Sequence, residues 1–195
     1  MPLHFAAEPL NGSALVHKGL GKVATRTSPL SARGVDLTTL QLSPPHAVYD
    51  LRADVVARGG GLESATATGF RYLVHAGGVN IAAGEVLTDS SGAATLLANI
   101  NYGPFVEATA QGLTEVAKLP AVGAGSFEVR LLRFSAIALV ALWLKSDSGG
   151  ADIVYPLAPA PPSLEAGSPY TAGDFFHVIR PLAKIRAEKR GPSVP

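Results

Sequence analysis

The chain has 195 residues and no cysteine, which excludes disulfides, thiol nucleophiles and Cys-ligated metal sites. Only 16% of residues are charged, while glycines number 21 and prolines 15; so little charge points to an exterior partly covered by other subunits. The net charge of +1 is unevenly spread: residues 1–34 and 180–190 hold nine basic side chains (Lys18, Lys22, Arg26, Arg33, Arg180, Lys184, Arg186, Lys189, Arg190) against Glu8 and Glu188, a net +7, which leaves −6 for the rest.

Residues 1–45 are rich in Gly, Ser, Thr and Pro, with no sustained helical period. They are expected to form an extended N-terminal arm in which only V-D-L-T-T-L-Q-L (35–42) alternates like a strand. No basic segment followed by an apolar one opens the chain, so no signal peptide is expected. Ser43-Pro44-Pro45 ends the arm, and a single domain over 46–187 follows, with a basic tail at 188–195.

In H-A-V-Y-D-L-R-A-D-V-V-A-R (46–58), Val48, Leu51 and Val55 fall on one helical face and Gly59-Gly60-Gly61 supplies a stop, so a helix is predicted. Asp50, Asp54 and Arg58 then form a ladder of solvated ion pairs. L-E-S-A-T-A-T (62–68) predicts a second short helical piece. Strands are predicted at 70–76 and 79–87 around a Gly77-Gly78 hairpin turn, and a third at 94–102. Counting outward from that turn puts Phe70, Tyr72, Val74, Ile81, Ala83 and Glu85 on one buried face. Arg71, Leu73, His75, Asn80 and Ala82 fall on the other. Gly103-Pro104 starts a helix that runs to Leu119-Pro120.

The second half repeats this order. F-E-V-R-L-L-R-F (127–134) is a strand whose alternation slips at Leu131-Leu132, where a bulge is predicted. F-S-A-I-A-L-V-A-L-W-L-K (134–145) is the most apolar stretch in the chain. It is too short for the roughly 18–20 residues of a membrane span, so it reads as a central strand covered on both faces, with the cover around Trp143 left open. A strand at 152–157, a Pro-rich loop and a final helix complete the unit. Thr171 and Asp174 are its capping pair, Phe175, Val178, Leu182 and Ile185 its apolar stripe, and Pro181 a predicted kink.

The expected fold is therefore α+β: an antiparallel sheet of about six strands built from two βββα units, with helices packed on one face and an N-terminal extended arm. None of the five histidines is spaced for a metal pair, there is no nucleophile elbow, and Gly19-Leu20-Gly21-Lys22 lacks the remainder of a phosphate loop. His46 simply follows two prolines. No catalytic constellation, cofactor motif or metal site emerges. Glu85 is the one weak catalytic candidate, because a carboxylate on an apolar face would have a raised pKa.

The functional expectation is a non-catalytic cytoplasmic protein that works by association, as a subunit of a homo-oligomer or larger assembly. The alternative is a small-molecule-binding protein or cofactor-independent enzyme. Its pocket would lie between sheet and helices around Glu85, with Tyr72, Tyr102 and Trp143 as binding residues. A third reading uses the basic termini to hold nucleic acid.

Overall fold

The computed structural model describes residues 2–24 and 39–190. Among them are ten strands: β1 (Leu3–Phe5), β2 (Gln41–Leu42), β3 (His46–Asp50), β4 (Thr66–Ala76), β5 (Val79–Thr88), β6 (Ala94–Asn101), β7 (Phe127–Phe134), β8 (Leu139–Ser146), β9 (Ile153–Pro156) and β10 (Tyr170–Thr171). The five helices are α1 (Gly12–Ala24), α2 (Ala53–Ala57), α3 (Pro104–Val116), α4 (Pro120–Ala124) and α5 (Ala172–Arg190). None is long and apolar enough to cross a membrane.

All ten strands belong to one mixed sheet. Its main path is β10-β9-β8-β7-β3-β4-β5-β6, with β1 beside β7 and β2 beside β4. Only the β1–β7 and β3–β7 pairs are parallel; the rest are antiparallel. The fold is thus α+β with more strands than the six expected, because four short strands complete the sheet at its edges and gaps. Two of the six predicted strands, β4 and β7, gain a neighbour from an unexpected source. Residues 46–50, predicted as helix, form β3 and lie between β4 and β7. His46, Ala47 and Val48 are all buried there, and this two-sided burial overrides the helical spacing of Val48, Leu51 and Val55. The helix is confined to Ala53–Ala57, and residues 62–64 make one 3-10 turn before β4 begins.

Helices cover both faces of the sheet, not one. On the first face, Val16 and Leu20 of α1 pack with Tyr72, Val74, Ala82 and Val86. On the same face further along, Phe175, Phe176, Ile179 and Ala183 of α5 meet Leu132, Phe134, Ala141 and Trp143. Of the predicted α5 stripe Phe175 is buried and Val178 packs against the same cluster, but Phe176, Ile179 and Ala183 supply the rest of the buried face and Ile185 is exposed. Thr171 Oγ1 accepts from the Asp174 amide at 3.2 Å and caps α5, which continues through Pro181.

On the second face α3 crosses both halves. Val106 meets Leu73 and Ala83, and Val116 joins the cluster of Leu131, Leu142 and Leu157. Close approach of helix to sheet depends on glycine at two points. A Cβ on Gly84 would lie 2.6 Å from Val16 Cγ1, and one on Gly112 would lie 2.6 Å from Leu157 Cδ2.

Cover on both faces also explains β7. Its pairing with β8 runs without interruption from Phe127↔Ser146 to Phe134↔Leu139, so the predicted bulge at Leu131-Leu132 is absent. The two leucines simply point to opposite faces, each into a core. For the same reason the apolar stretch 134–145 becomes a 3-10 turn at Ser135–Ile137 followed by β8, buried on both sides.

The N-terminal segment is not an extended arm throughout. Residues 12–24 are helical and contribute Val16 and Leu20 to the core, and Leu3–Phe5 add a strand to β7. The helix escapes the sequence reading because its buried face holds few large residues, and Gly12, Gly19 and Gly21 interrupt it. Of the strand predicted at 35–42, Gln41 and Leu42 pair with β4, and residues 35–38 lie outside the described residues.

Candidate functional site

The hairpin register decides where Glu85 points. Gly77 and Gly78 take φ of 56° and 80° and Ala76 pairs with Val79, as the two-residue turn predicts. A bulge between Val74 and His75 then shifts every later pair by one. Glu85 consequently faces Arg71, not the Phe70 side, and Phe70, Tyr72 and Val74 share their face with Ala82, Gly84 and Val86.

Three further strands bring partners to this face. Arg133 of β7 donates through Nε and Nη2 to the two oxygens of Asp50 in β3, at 2.7 and 3.0 Å. Its Nη1 reaches Glu85 Oε2 at 2.7 Å and its Nη2 reaches Thr68 Oγ1 at 3.3 Å. Asn101 of β6 donates weakly to Glu85 Oε1 at 3.5 Å, and Asn99 donates to Asn101 Oδ1 at 3.0 Å. Asp50 is thus part of this network and not of a helical ladder; Asp54 instead takes Arg52 and Arg58. Burial works against the Arg133 charge, but Asp50 and Glu85 outweigh it and hold its pKa above the ordinary arginine value.

Arg71 is the anomaly. It is only 3% exposed, its Nε makes no hydrogen bond, and the nearest carboxylate oxygen, Glu85 Oε1, is 3.7 Å away. Burial, and then the neighbouring Arg133 charge, push its pKa down, while Glu85 opposes them. His46, directly across the β3–β4 pair, does not relieve it: its Nδ1–H donates to the Arg71 carbonyl at 3.2 Å, and the Nε2 left as acceptor is itself buried without a hydrogen-bond partner. Burial keeps that imidazole neutral, with a pKa lowered to about 4. The two cations and two carboxylates balance in number. Their geometry does not, because Arg133 takes both acids at close range.

Beside Arg71 lies a cavity of about 240 Å³, lined by Arg71, Glu85, Asn99, Asn101, Gly103, Phe105, Arg133 and Val140. Gly103 and Phe105 belong to the start of α3, where proline occupies the first turn and no side chain caps the free N–H groups. The arrangement presents a guanidinium whose Nε lacks an acceptor, a second guanidinium, two amides and a positive helix end to one small space.

The other candidate residues lie elsewhere. Tyr72 and Tyr102 pack in the α1 cluster on the opposite face, where the buried Tyr72 hydroxyl donates to Glu8 Oε1 at 3.3 Å. Trp143 is also on that opposite face, beneath α5, and its indole N–H donates to Asp152 Oδ2 at 2.9 Å. Of the basic termini, Lys18, Lys22, Lys184, Arg186 and Lys189 are exposed on α1 and α5. Arg180 donates to the carbonyls of Val56 and Gly59 and stacks on Phe176. Arg26 and Arg33 lie outside the described residues, as does the Arg190 side chain. The sequence reading overlooked Arg71, Arg133, Asn99 and Asn101. The available signal was an arginine within each of two apolar strands, Arg71 in F-R-Y-L-V and Arg133 in R-L-L-R-F.

Glu85 therefore acts as the shared counter-ion of two guanidiniums. Urea denaturation tests this: Glu85→Gln is expected to lose about 3 kcal/mol, because it strands Arg71 as a buried unpaired charge, whereas Arg71→Met/Glu85→Leu recovers most of that loss. A Glu85→Gln variant as stable as the parent contradicts the pairing. No protein-family model, curated protein or solved structure matches the chain.

Proposed function

We propose that the protein binds a small carboxylate-bearing molecule in the Arg71–Glu85–Arg133 cavity and performs no covalent chemistry on it. The carrying observation is the buried, unpartnered Arg71 Nε at the wall of that cavity. A guanidinium removed from water without an acceptor loses the hydration of its donors, so a carboxylate offering two oxygens is the complement it lacks. The uncapped start of α3 favours the same sign of charge. At about 30 Å³ per water-sized volume the cavity has room for roughly eight such volumes, which suits an acid of a few carbons and not a nucleotide. Its lining holds no hydroxyl, thiol or imidazole, and its one carboxylate is committed to arginine, which favours binding over catalysis.

A thermal-shift series with acetate, malonate, succinate, malate and glutamate against matched chloride tests the reading. At a hundredfold excess over Kd a bound acid stabilises by about 2.7 kcal/mol, or about 5–10 °C for a chain of this size. Arg71→Met, and independently Asn99→Leu at the rim, are expected to remove the shift. No stabilisation by any of these acids, or the same shift in both variants, overturns it.

A second reading, self-association, is favoured by the outer strand β6. Among the described residues Ala94–Asn101 pairs on one side only; it contains neither charge nor proline, and Leu96 (56% exposed) sits directly across from Leu87 (40% exposed). Light scattering should then show a dimer whose mass is insensitive to salt and which becomes monomeric on Leu96→Lys. A parent that is monomeric at all salt concentrations rules this out.

A further inference from the structure

The opposite face of the sheet carries a larger cleft of about 690 Å³, between the strands and the start of α5, within the range of small-molecule sites. Its floor is a cluster of three neighbouring strands. Arg130 of β7 lies with its guanidinium carbon 4.7 Å from the ring centres of both Tyr49 and Trp143, and those two rings meet edge-on at 5.1 Å. Arg130 Nε is tied to Glu128 at 2.6 Å. Among the described residues its terminal nitrogens have no acceptor. A flat cation is thus fixed at the cleft floor with donors still to satisfy.

Other walls add to this. Lys145 pairs with Asp152 at 3.6 Å and donates to the Ser146 carbonyl at 3.3 Å, and Arg180 and Phe176 stand on the α5 side. Gly173 places the first turn of the 19-residue α5 at the wall, and little would crowd a Cβ there. Two carboxylates also line the cleft. Asp152 is held by the Trp143 indole N–H and the Ser146 amide, both at 2.9 Å, and so fixes the floor. Glu63 accepts from the Gly61 amide through Oε1 at 2.7 Å and keeps its second oxygen for a hydroxyl or amine.

We propose that this cleft is a second binding site, for a phosphorylated ring compound of nucleoside-monophosphate size. The phosphate would meet Arg130 and Lys145, and the ring would lie against the guanidinium plane and the Phe176 side. The site is independent of the carboxylate cavity, from which it is separated by the thickness of the sheet.

Trp143 is the only tryptophan in the chain, so its emission reports on the cleft floor directly. Titration with AMP and with UMP, read by fluorescence and by equilibrium dialysis, is expected to saturate for at least one of them. The matching nucleoside and inorganic phosphate should each bind about tenfold more weakly or worse, and Arg130→Gln should weaken the nucleotide by about tenfold or more. Lys145→Gln, which leaves the aromatic floor intact, should weaken it to a lesser degree, and Arg71→Met should not change it. Saturation by neither nucleotide, phosphate binding as tightly as the nucleotide, or undiminished affinity in Arg130→Gln overturns the assignment.

Discussion

The position of β3 between β4 and β7 is the constraint on which the rest depends. Five residues, His46–Asp50, join a meander of β4, β5 and β6 to a meander of β7, β8 and β9, antiparallel to the first and parallel to the second. Without that strand the two halves would be separate sheets with exposed inner edges. Asp50 ends the strand and clamps Arg133 of the second half, and Arg133 in turn holds Glu85 of the first. The seam is therefore charged as well as hydrogen-bonded. Its charges leave the Nε of one member, Arg71, without a hydrogen-bond acceptor. From this mismatch comes the proposal of a carboxylate ligand.

Strands β7 and β8 line both candidate sites because successive side chains alternate between faces. Arg130 and Arg133 on β7, and Trp143 and Val140 on β8, divide between the cleft and the cavity, while β3 adds Tyr49 to the cleft and anchors Arg133 through Asp50. The two sites are thus built back to back on the seam. Each is roofed by the N-terminal part of a helix, α3 over the cavity and α5 over the cleft.

What could be read from the sequence was what depends on near neighbours. The Gly77-Gly78 turn, the proline start of α3, the Thr171–Asp174 cap and the alternating strand at 127–134 are all local signals, and each has its place in the structure. Three features were hidden for physical reasons. Val48, Leu51 and Val55 satisfy a helical period by chance, and only the burial of both faces between two strands selects β structure there. A one-residue bulge at Val74/His75 leaves no mark on composition, yet it moves Glu85 to the other face. The partners of Glu85 and Asp50 lie 48 and 83 residues away, beyond any local pattern. A charged residue placed on the wrong face thus led to a picture of an isolated acid, where the protein has a counter-ion.

The central claim is that the Arg71 Nε–H is buried without an acceptor and receives one from a bound carboxylate. Nuclear magnetic resonance of the arginine Nε–H groups examines it most directly. The Arg71 signal, assigned by its loss in Arg71→Met, should exchange slowly with solvent because the side chain is buried. On titration with a stabilising carboxylate it should shift saturably, while the exposed Arg52 signal stays in place. An Arg71 Nε–H that exchanges as fast as that of Arg52, or does not move with any acid that stabilises the protein, would contradict the account.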